Sequence, residues 1–315
     1  SWPQLLRDFA HGEMKPRYDQ GTDFQLTNLP FARRDLLDGR NYLTQAVFEA
    51  TRACAHNCEF CVAPSAWGRK QFQKPVAHVV EDIRRVGSRK ILFIDLNLVS
   101  DPAYARELFT ALIPLKVRWF GLSTSLIGRD PAMMDLMAQS GCTGLLIGFE
   151  SISRAGLSTI DKRFNDPQLY AELVRDLHRR GITIQGCFVF GNDADTEETF
   201  DTTADFVIRT QIDLPRFAIL TPFPGTPIHT RFEREGRILT RDWVLYDGQH
   251  VVFRPKQMTP EALLAGHERA WKAVYGWKPI LNRLRHARGQ IPLSLAANLG
   301  YRFYAHHLHT HYTCD

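Results

Sequence analysis

The chain has 315 residues, 44% hydrophobic and 23% charged, with a formal net charge of +5. That length fits one large α/β domain with an appendage or two ordinary domains, and the composition, free of low-complexity runs, is that of a globular protein. The absence of any run of 18 apolar residues excludes a membrane-spanning helix, no signal peptide is visible, and six cysteines, three of them clustered, suit a reducing cytosol better than a disulfide framework.

Residues 1–40 are mixed and turn-rich. From there the chain alternates. Leu43–Ala50 reads as a first strand, and Pro75–Val86 as a helix with Val76, Val79, Val80, Ile83 and Val86 on one face. Lys90–Val99 holds a second strand, and Asp101-Pro102 caps a helix over Ala103–Leu112. Trp119–Ile127 is a third strand. Asp130-Pro131 opens a helix that ends near Ser140-Gly141, and Leu145–Phe149 is a fourth strand. Asp166-Pro167 starts a helix to about Arg180, and Ile182–Phe190 is a fifth strand. Thr196–Thr210 is helical, and Arg216–Thr221 is a sixth strand. Strands apolar on both faces, separated by helices, predict a parallel α/β sheet with right-handed crossovers. The pattern alone fits either a (β/α)6 partial TIM barrel or a doubly wound open sheet. After Pro222, Pro224 and Pro227 the alternation stops, and a helical region opens at Thr259-Pro260. The expected organisation is an N-terminal extension (1–40), a core (41–228) and a partly helical, basic C-terminal extension (229–315).

Ligands gather at the carboxyl ends of parallel strands. Here those ends are polar: Asp95-Leu96-Asn97, Ser123-Thr124-Ser125, Glu150-Ser151, Gly191-Asn192-Asp193 and Thr221-Pro222. Any one of these is explained by a turn or cap; together they form a convergent rim. The first strand delivers Cys54, Cys58 and Cys61, spaced C-x3-C-x2-C with Phe60 before the last cysteine. A cubane iron–sulfur cluster normally takes four cysteines, so three leave one iron open. A zinc knuckle with His56 as fourth ligand is the competing reading. Cys142 and Cys187 read as small buried hydrophobes, with hydrogen-atom donation by a catalytic cysteine as a secondary possibility.

The cysteine triplet after a strand resembles the radical S-adenosylmethionine (radical SAM) family. That resemblance implies a [4Fe-4S] cluster held by Cys54, Cys58 and Cys61, whose open iron binds S-adenosylmethionine and whose electron cleaves it to a 5′-deoxyadenosyl radical. By strand position it implies Asp95 and Asn97 near the amino group, Glu150 and Ser151 at the ribose, and Phe188, Gly191 and Asn192 along the adenine, with Ser123 and Thr221 completing the rim. It also implies the partial-barrel alternative for the fold.

Five further segments are similar to the cobalamin-associated, class B methylase-like branch of that family. They are Val62-Ala63-Pro64 with Trp67-Gly68, Leu145 to Ser151, Phe188 to Asp193, Thr221 to Pro227, and Trp243 to Phe253. Members typically carry an N-terminal cobalamin domain, and residues 1–20 look like the linker that follows it. Cobalamin is therefore expected only through a domain outside this chain. The implied activity is methylation or rearrangement of a small-molecule, lipid-like or pigment-like substrate, with a flavodoxin- or ferredoxin-like electron donor. Arg269 to Arg302 holds seven Lys/Arg and no acidic residue, interleaved with Trp271, Tyr275 and Trp277, so peripheral contact of this cytoplasmic protein with a membrane is a further expectation. His306, His307, His309 and His311 are expected to form a disordered end, and Cys314 to play no part. Two other readings stand: an RNA-modifying radical enzyme of methylthiotransferase type, against which no RNA-binding module is visible, and a non-catalytic iron–sulfur or zinc protein.

Overall fold

The computed structural model describes residues 2–19, 24–27, 29–284 and 291–311. Its strands are β1 (Val47–Phe48), β2 (Thr51–Arg52), β3 (Phe72–Gln73), β4 (Lys90–Phe93), β5 (Arg118–Ser123), β6 (Cys142–Glu150), β7 (Thr183–Phe190) and β8 (Leu214–Ile219). Six of them form one sheet in the order β1-β4-β5-β6-β7-β8, every pair parallel, while β2 and β3 make a separate antiparallel ribbon. This is the expected α/β architecture, a partial barrel of parallel strands, and β1 and β8 are its unjoined edges.

The helices are α1 (Trp2–His11), α2 (Ala63–Trp67), α3 (Val76–Val86), α4 (Pro102–Leu112), α5 (Pro131–Gln139), α6 (Arg154–Thr159), α7 (Tyr170–Arg179), α8 (Glu198–Thr210), α9 (Pro227–Arg234), α10 (Pro260–Val274), α11 (Trp277–Leu284), α12 (Ile291–His306) and α13 (Leu308–His311). The Asp-Pro starts behave as the sequence predicts. Asp101 accepts from the amides of Ala103 and Tyr104, and Asp130 accepts from Met133, each with Pro at the first helical position.

Strand alternation divides each strand between two environments. Trp119, Ile147, Phe149, Phe188, Phe190 and Phe217 are buried toward the helices. Trp119 stacks on Phe109 of α4 at 5.1 Å between centroids, and Phe190 meets Phe200 of α8 at 4.9 Å. Positions between them on β7 and β8, namely Gln185, Cys187, Val189, Arg216 and Ala218, share the other, inner face and are only partly buried or exposed.

The bounds of the first and last strands depart from expectation. The first strand shrinks from eight predicted residues to two, because β1 is an edge that pairs only with β4 and the chain then turns into the ribbon. The last strand begins at Leu214 and includes Pro215, which an edge strand tolerates because its missing N–H would face no partner. That edge is closed by α10 and the residue following it. The Trp271 indole donates to the Phe217 carbonyl at 3.1 Å, and the Tyr275 hydroxyl donates to that of Pro215 at 2.8 Å.

The C-terminus corrects the expected disordered histidine end. His306 closes α12, His307 precedes α13, and His309 and His311 lie in α13. Ala305 and Leu308 are buried in the core because α12 packs against α10 and α11. Much of the basic charge there is consumed internally. Arg283 is buried and donates to Asn298 and to the Val274 carbonyl, and Arg302 lies over Trp277 while donating to the Tyr275 carbonyl. Arg269 pairs with Asp201 and Lys272 with Glu268. Arg285, Arg288 and Cys314 lie outside the described residues. No described helix is long and apolar enough to cross a membrane.

Candidate active site

The cysteine loop leaves the sheet at Ala50 and is fastened at several points. The carboxylate of Asp95, buried between β4 and the loop, accepts from the backbone amides of Ala50 and Thr51. Ala53 takes a left-handed φ of 72°, which turns the chain into the cysteines. The Cys61 amide donates to the Cys58 carbonyl, closing a tight turn around Glu59 and Phe60. Glu59 is the anchor. Its carboxylate takes two hydrogen bonds from the Arg231 guanidinium of α9, at 2.7 and 2.9 Å, and Arg231 also reaches Asp193 beyond β7 at 2.7 Å. The Glu59 amide donates to the Ile160 carbonyl, and its own carbonyl accepts from Ile228.

Beside the loop lies a buried ion pair. Lys162 Nζ donates to Glu150 Oε1 at 2.6 Å, and both side chains are less than 10% exposed. Glu150 reaches this place through a register break between Gly148 and Glu150 in β6, with Glu150 itself at φ 62°. A Cβ on Gly148 would collide with the Glu150 carboxylate and sit 2.9 Å from Lys162 Nζ, so a side chain there would displace the ion pair. The break is braced from outside: Asn165 donates to the carbonyls of Gly148 and Phe149, and the Tyr170 hydroxyl donates to that of Phe149.

The thiols fit a charged cluster. Burial pushes the Cys58 thiol up to about 12, with Lys162 opposing that shift, and burial likewise raises Cys61. Burial pulls the Lys162 ammonium down, but Glu150 and the two thiols outweigh it, and the net shift is upward. Lys162 is therefore a permanent buried cation that favours thiolate at Cys58 and Cys61, the form that binds iron. Among the described residues no group of three or more His, Cys, Asp or Glu side chains is gathered closely enough for a single metal ion. Zinc–sulfur bonds of about 2.3 Å put the ligands of one zinc roughly 4 Å apart, whereas a cubane spreads its thiolates over different irons. His56, the proposed fourth zinc ligand, instead stacks on Phe164 at 3.9 Å. The donor set thus suits a cluster better than a knuckle.

The radical SAM superfamily model matches residues 48–207, which begin in β1 and run through α8. The chain belongs to the radical SAM superfamily. It is 32% identical over 301 residues to a bacteriochlorophyllide d C-12(1)-methyltransferase of Chlorobaculum tepidum, covering 90% of this chain and 64% of that protein. It is 29% identical over 304 residues to the bacteriochlorophyllide d C-8(2)-methyltransferase of the same organism, covering 90% and 66%. The chain therefore spans just under two thirds of the length of these relatives. The radical SAM methyltransferase TsrM of Kitasatospora setae, solved with cobalamin and a [4Fe-4S] cluster, superposes with a TM-score of 0.56 at 23% identity, over 60% of this chain and 37% of that one. That likeness is one of fold.

Within the radical SAM fold the rim residues separate into those that face the site and those that serve the scaffold. Glu150 faces the inner space with Lys162. Asn97 lines a cavity with Ala55, His56, Ser100 and Thr124 beside the cysteine loop, and its amide donates to Ser100. Ser151 accepts from the Ser153 amide at 3.1 Å and packs under Gly156, where a Cβ would lie 2.6 Å from its oxygen. Asn192 donates to Asp195 at 2.6 Å and accepts from Ala194 and Thr159, while Gly191, at φ 96°, donates its amide to the same Asp195.

Two of the expected side chains lie on the outer face. Phe188, expected along the adenine, points its ring into the helix layer against Phe149, Phe206 and Phe217 and is 1% exposed, so only its backbone reaches the inner space; its neighbours Cys187 and Val189 hold the inner positions. Ser123 shares the outer face with its register partner Ile147, and its hydroxyl donates to the Thr124 carbonyl. Asp95 and Thr221 are present at the rim but engaged by backbone. Asp95 holds Ala50 and Thr51, and the Thr221 hydroxyl donates to the Ile219 carbonyl.

Lys162 and Asp195 were missed by the sequence reading. Both lie in loops after the strand ends, each among other charged residues (Asp161 and Arg163, Asp193 and Glu197), where no periodic signal singles one out. Burial pushes the Asp195 carboxyl up to about 7. Cys142 is buried as expected, but Cys187 is only half-buried and faces the inner space; burial, reinforced by Glu150, pushes its thiol up to about 12.

Proposed function

We propose that this chain is the catalytic part of a radical SAM C-methyltransferase acting on a pigment-like or lipid-like small molecule. The observation that carries the proposal is the pairing of a three-cysteine loop with the buried Lys162–Glu150 pair at the carboxyl end of a parallel sheet. Similarity over 90% of the chain to two bacteriochlorophyllide methyltransferases supports the reaction class and the kind of substrate.

Cys54, Cys58 and Cys61 hold the cluster. A [4Fe-4S] cluster held there with one iron free of thiolate would supply the electron for reductive cleavage of S-adenosylmethionine, and cobalamin, held outside this chain, would supply the methyl group. The chain's own residues prepare the ground. Lys162 neutralises charge beside Cys58 and Cys61, and Glu150 offers an acceptor to the ribose hydroxyls at the inner edge of β6. Asn97 and the backbone at Gly191 and Asn192 flank the same opening. Arg231 keeps the cysteine loop in register with α9 by its grip on Glu59. The helix-packed outer face excludes water from behind the strands, which protects a radical from quenching. A small reducing protein of flavodoxin or ferredoxin type would deliver the electron.

The test is anaerobic reconstitution of the chain with iron and sulfide, then dithionite and S-adenosylmethionine, with chromatography for 5′-deoxyadenosine. Deoxyadenosine is expected from the wild type and from none of Cys54→Ala, Cys58→Ala or Cys61→Ala. Full iron and full cleavage in any one of these variants would overturn the ligand set. Methyl transfer to a chlorophyllide, with methylcobalamin added, tests the substrate class separately.

A further inference from the structure

We propose that Arg216 anchors a carboxylate of the substrate on the inner face of the sheet, so that the substrate is an organic acid held by its acidic end. This deepens the methyltransferase reading and rests on it for the statement that the occupant of the inner space is the substrate.

Arg216 stands on β8 in register with Cys187 of β7, and both side chains occupy the inner face. The outer face at the adjoining positions is filled by Phe188 and Phe217 against the helices, so Arg216 is directed away from the core. It is exposed. Inner positions of a parallel barrel are usually filled by apolar packing. A guanidinium there is a departure that packing does not explain.

Its electrostatic surroundings are incomplete. Many other arginines of this chain meet carboxylates, among them Arg34 with Asp82, Arg231 with Glu59 and Asp193, and Arg237 with Asp193. Arg216 makes no hydrogen bond or ion pair among the described residues. The acids nearby are already engaged. Glu150 is held by Lys162, and Asp247 accepts from the Gln249 and His250 amides and contacts the His250 ring. What Arg216 influences is Cys187 on one side and the phenols of Tyr301 and Tyr304 on the other. Tyr301 is itself fixed by the Gln185 amide at 3.0 Å and stacks on Trp271 and Tyr275. The result is an unneutralised planar cation beside an aromatic wall supplied by α12, open to the inner space. That combination suits a carboxylate attached to a large apolar body: the guanidinium takes the two oxygens as a fork, and the rings cover the apolar part.

The spacing also limits the ligand. The register partner of Arg216 on β7 is Cys187, whose own partner on β6 is Gly148, two residues before Glu150, so Arg216 stands two strands across from the Glu150–Lys162 pair, roughly 10 Å at about 4.8 Å per strand. A pigment side-chain acid or a fatty acid anchored at Arg216 can bridge that separation.

The experiment measures dissociation constants of two acid–ester pairs on the reconstituted full chain, by absorbance or fluorescence. The pairs are a chlorophyllide free acid with its methyl ester, and parinaric acid with its methyl ester. At least one free acid is expected to bind the wild type roughly tenfold or more tighter than its ester, the scale of one charged hydrogen-bonded contact. Arg216→Gln should bind acid and ester alike, and Arg216→Lys should restore part of the preference. Discrimination of the chlorophyllide pair assigns a pigment acid. Discrimination of the parinaric pair alone keeps the Arg216 anchor, assigns a lipid acid and sinks the pigment reading. If the wild type discriminates neither pair, or if Arg216→Gln discriminates as well as the wild type, the anchor is overturned. Deoxyadenosine formation, measured in parallel, reports separately whether the radical SAM reading holds.

Discussion

At the residue scale the site turns on a buried pair of opposite charges whose two members do different work. Glu150 is turned to the inner space, while Lys162 serves both Glu150 and the thiols of Cys58 and Cys61. Removing Lys162 alone leaves a carboxylate buried without its partner, which costs about 3–5 kcal/mol. Lys162→Met is therefore expected to lower the chemical-denaturation midpoint strongly, whereas Lys162→Met with Glu150→Leu should recover most of that stability yet no longer bind S-adenosylmethionine. A double variant that binds it normally by calorimetry would remove the pair from the site. Here the sequence was legible in part. Glu150 stood out because it ends an apolar run, and the cysteines stood out by spacing. Lys162 did not, since nothing in the eleven residues between it and Glu150 signals that the chain folds back on itself. Phe188 shows what the sequence leaves open: a strand presents alternate residues to opposite faces, and only contacts with Phe206 and Phe217 reveal which face its side chain takes.

At the element scale, α10 is what makes β8 a usable edge. His267, fully buried, lies 3.2 Å from the Phe217 carbonyl and 3.0 Å from the Trp271 indole nitrogen, and burial pulls its imidazole down to about 4. The unfolded chain has an ordinary histidine near 6.5, so it binds a proton that the folded chain refuses as pH falls. Its contribution is thus absent above about pH 6.5, and stability falls between about pH 6.5 and 4 by about 3 kcal/mol in total. Urea midpoints should drop across that window in the wild type and fall less steeply in His267→Gln. Parallel slopes in the two proteins would show that the acid sensitivity arises elsewhere. The helix itself was readable from Thr259-Pro260, because capping chemistry is local. Its docking on β8 was not, since a non-local pairing of a helix with a strand edge leaves no mark in either segment.

At the scale of the whole molecule, the last helices belong to the core rather than trailing from it. Leu308 and Ala305 are buried, and α12 carries Tyr301 to the inner face of β7. Deleting residues 307–315 should cost about 1.5–3 kcal/mol for the lost burial of Leu308 alone, seen as a lower thermal midpoint of the apoprotein; an unchanged midpoint would restore the reading of a disordered end. The alternation of strands and helices made the parallel sheet legible, because burial on both faces leaves long apolar runs. The closing of the barrel's flank by the C-terminal extension was hidden, because its histidines and arginines look solvated in sequence while Arg283 and Arg302 are bound internally. The two-faced character of β7 and β8 bears on how such an enzyme could be re-aimed. On those strands Phe188, Phe190 and Phe217 are locked into aromatic packing and tolerate little change, while Cys187, Arg216 and Ala218 stand clear of it. With the substrate placed as proposed, its range can drift, or be engineered with small focused libraries, at these inner positions without disturbing the fold.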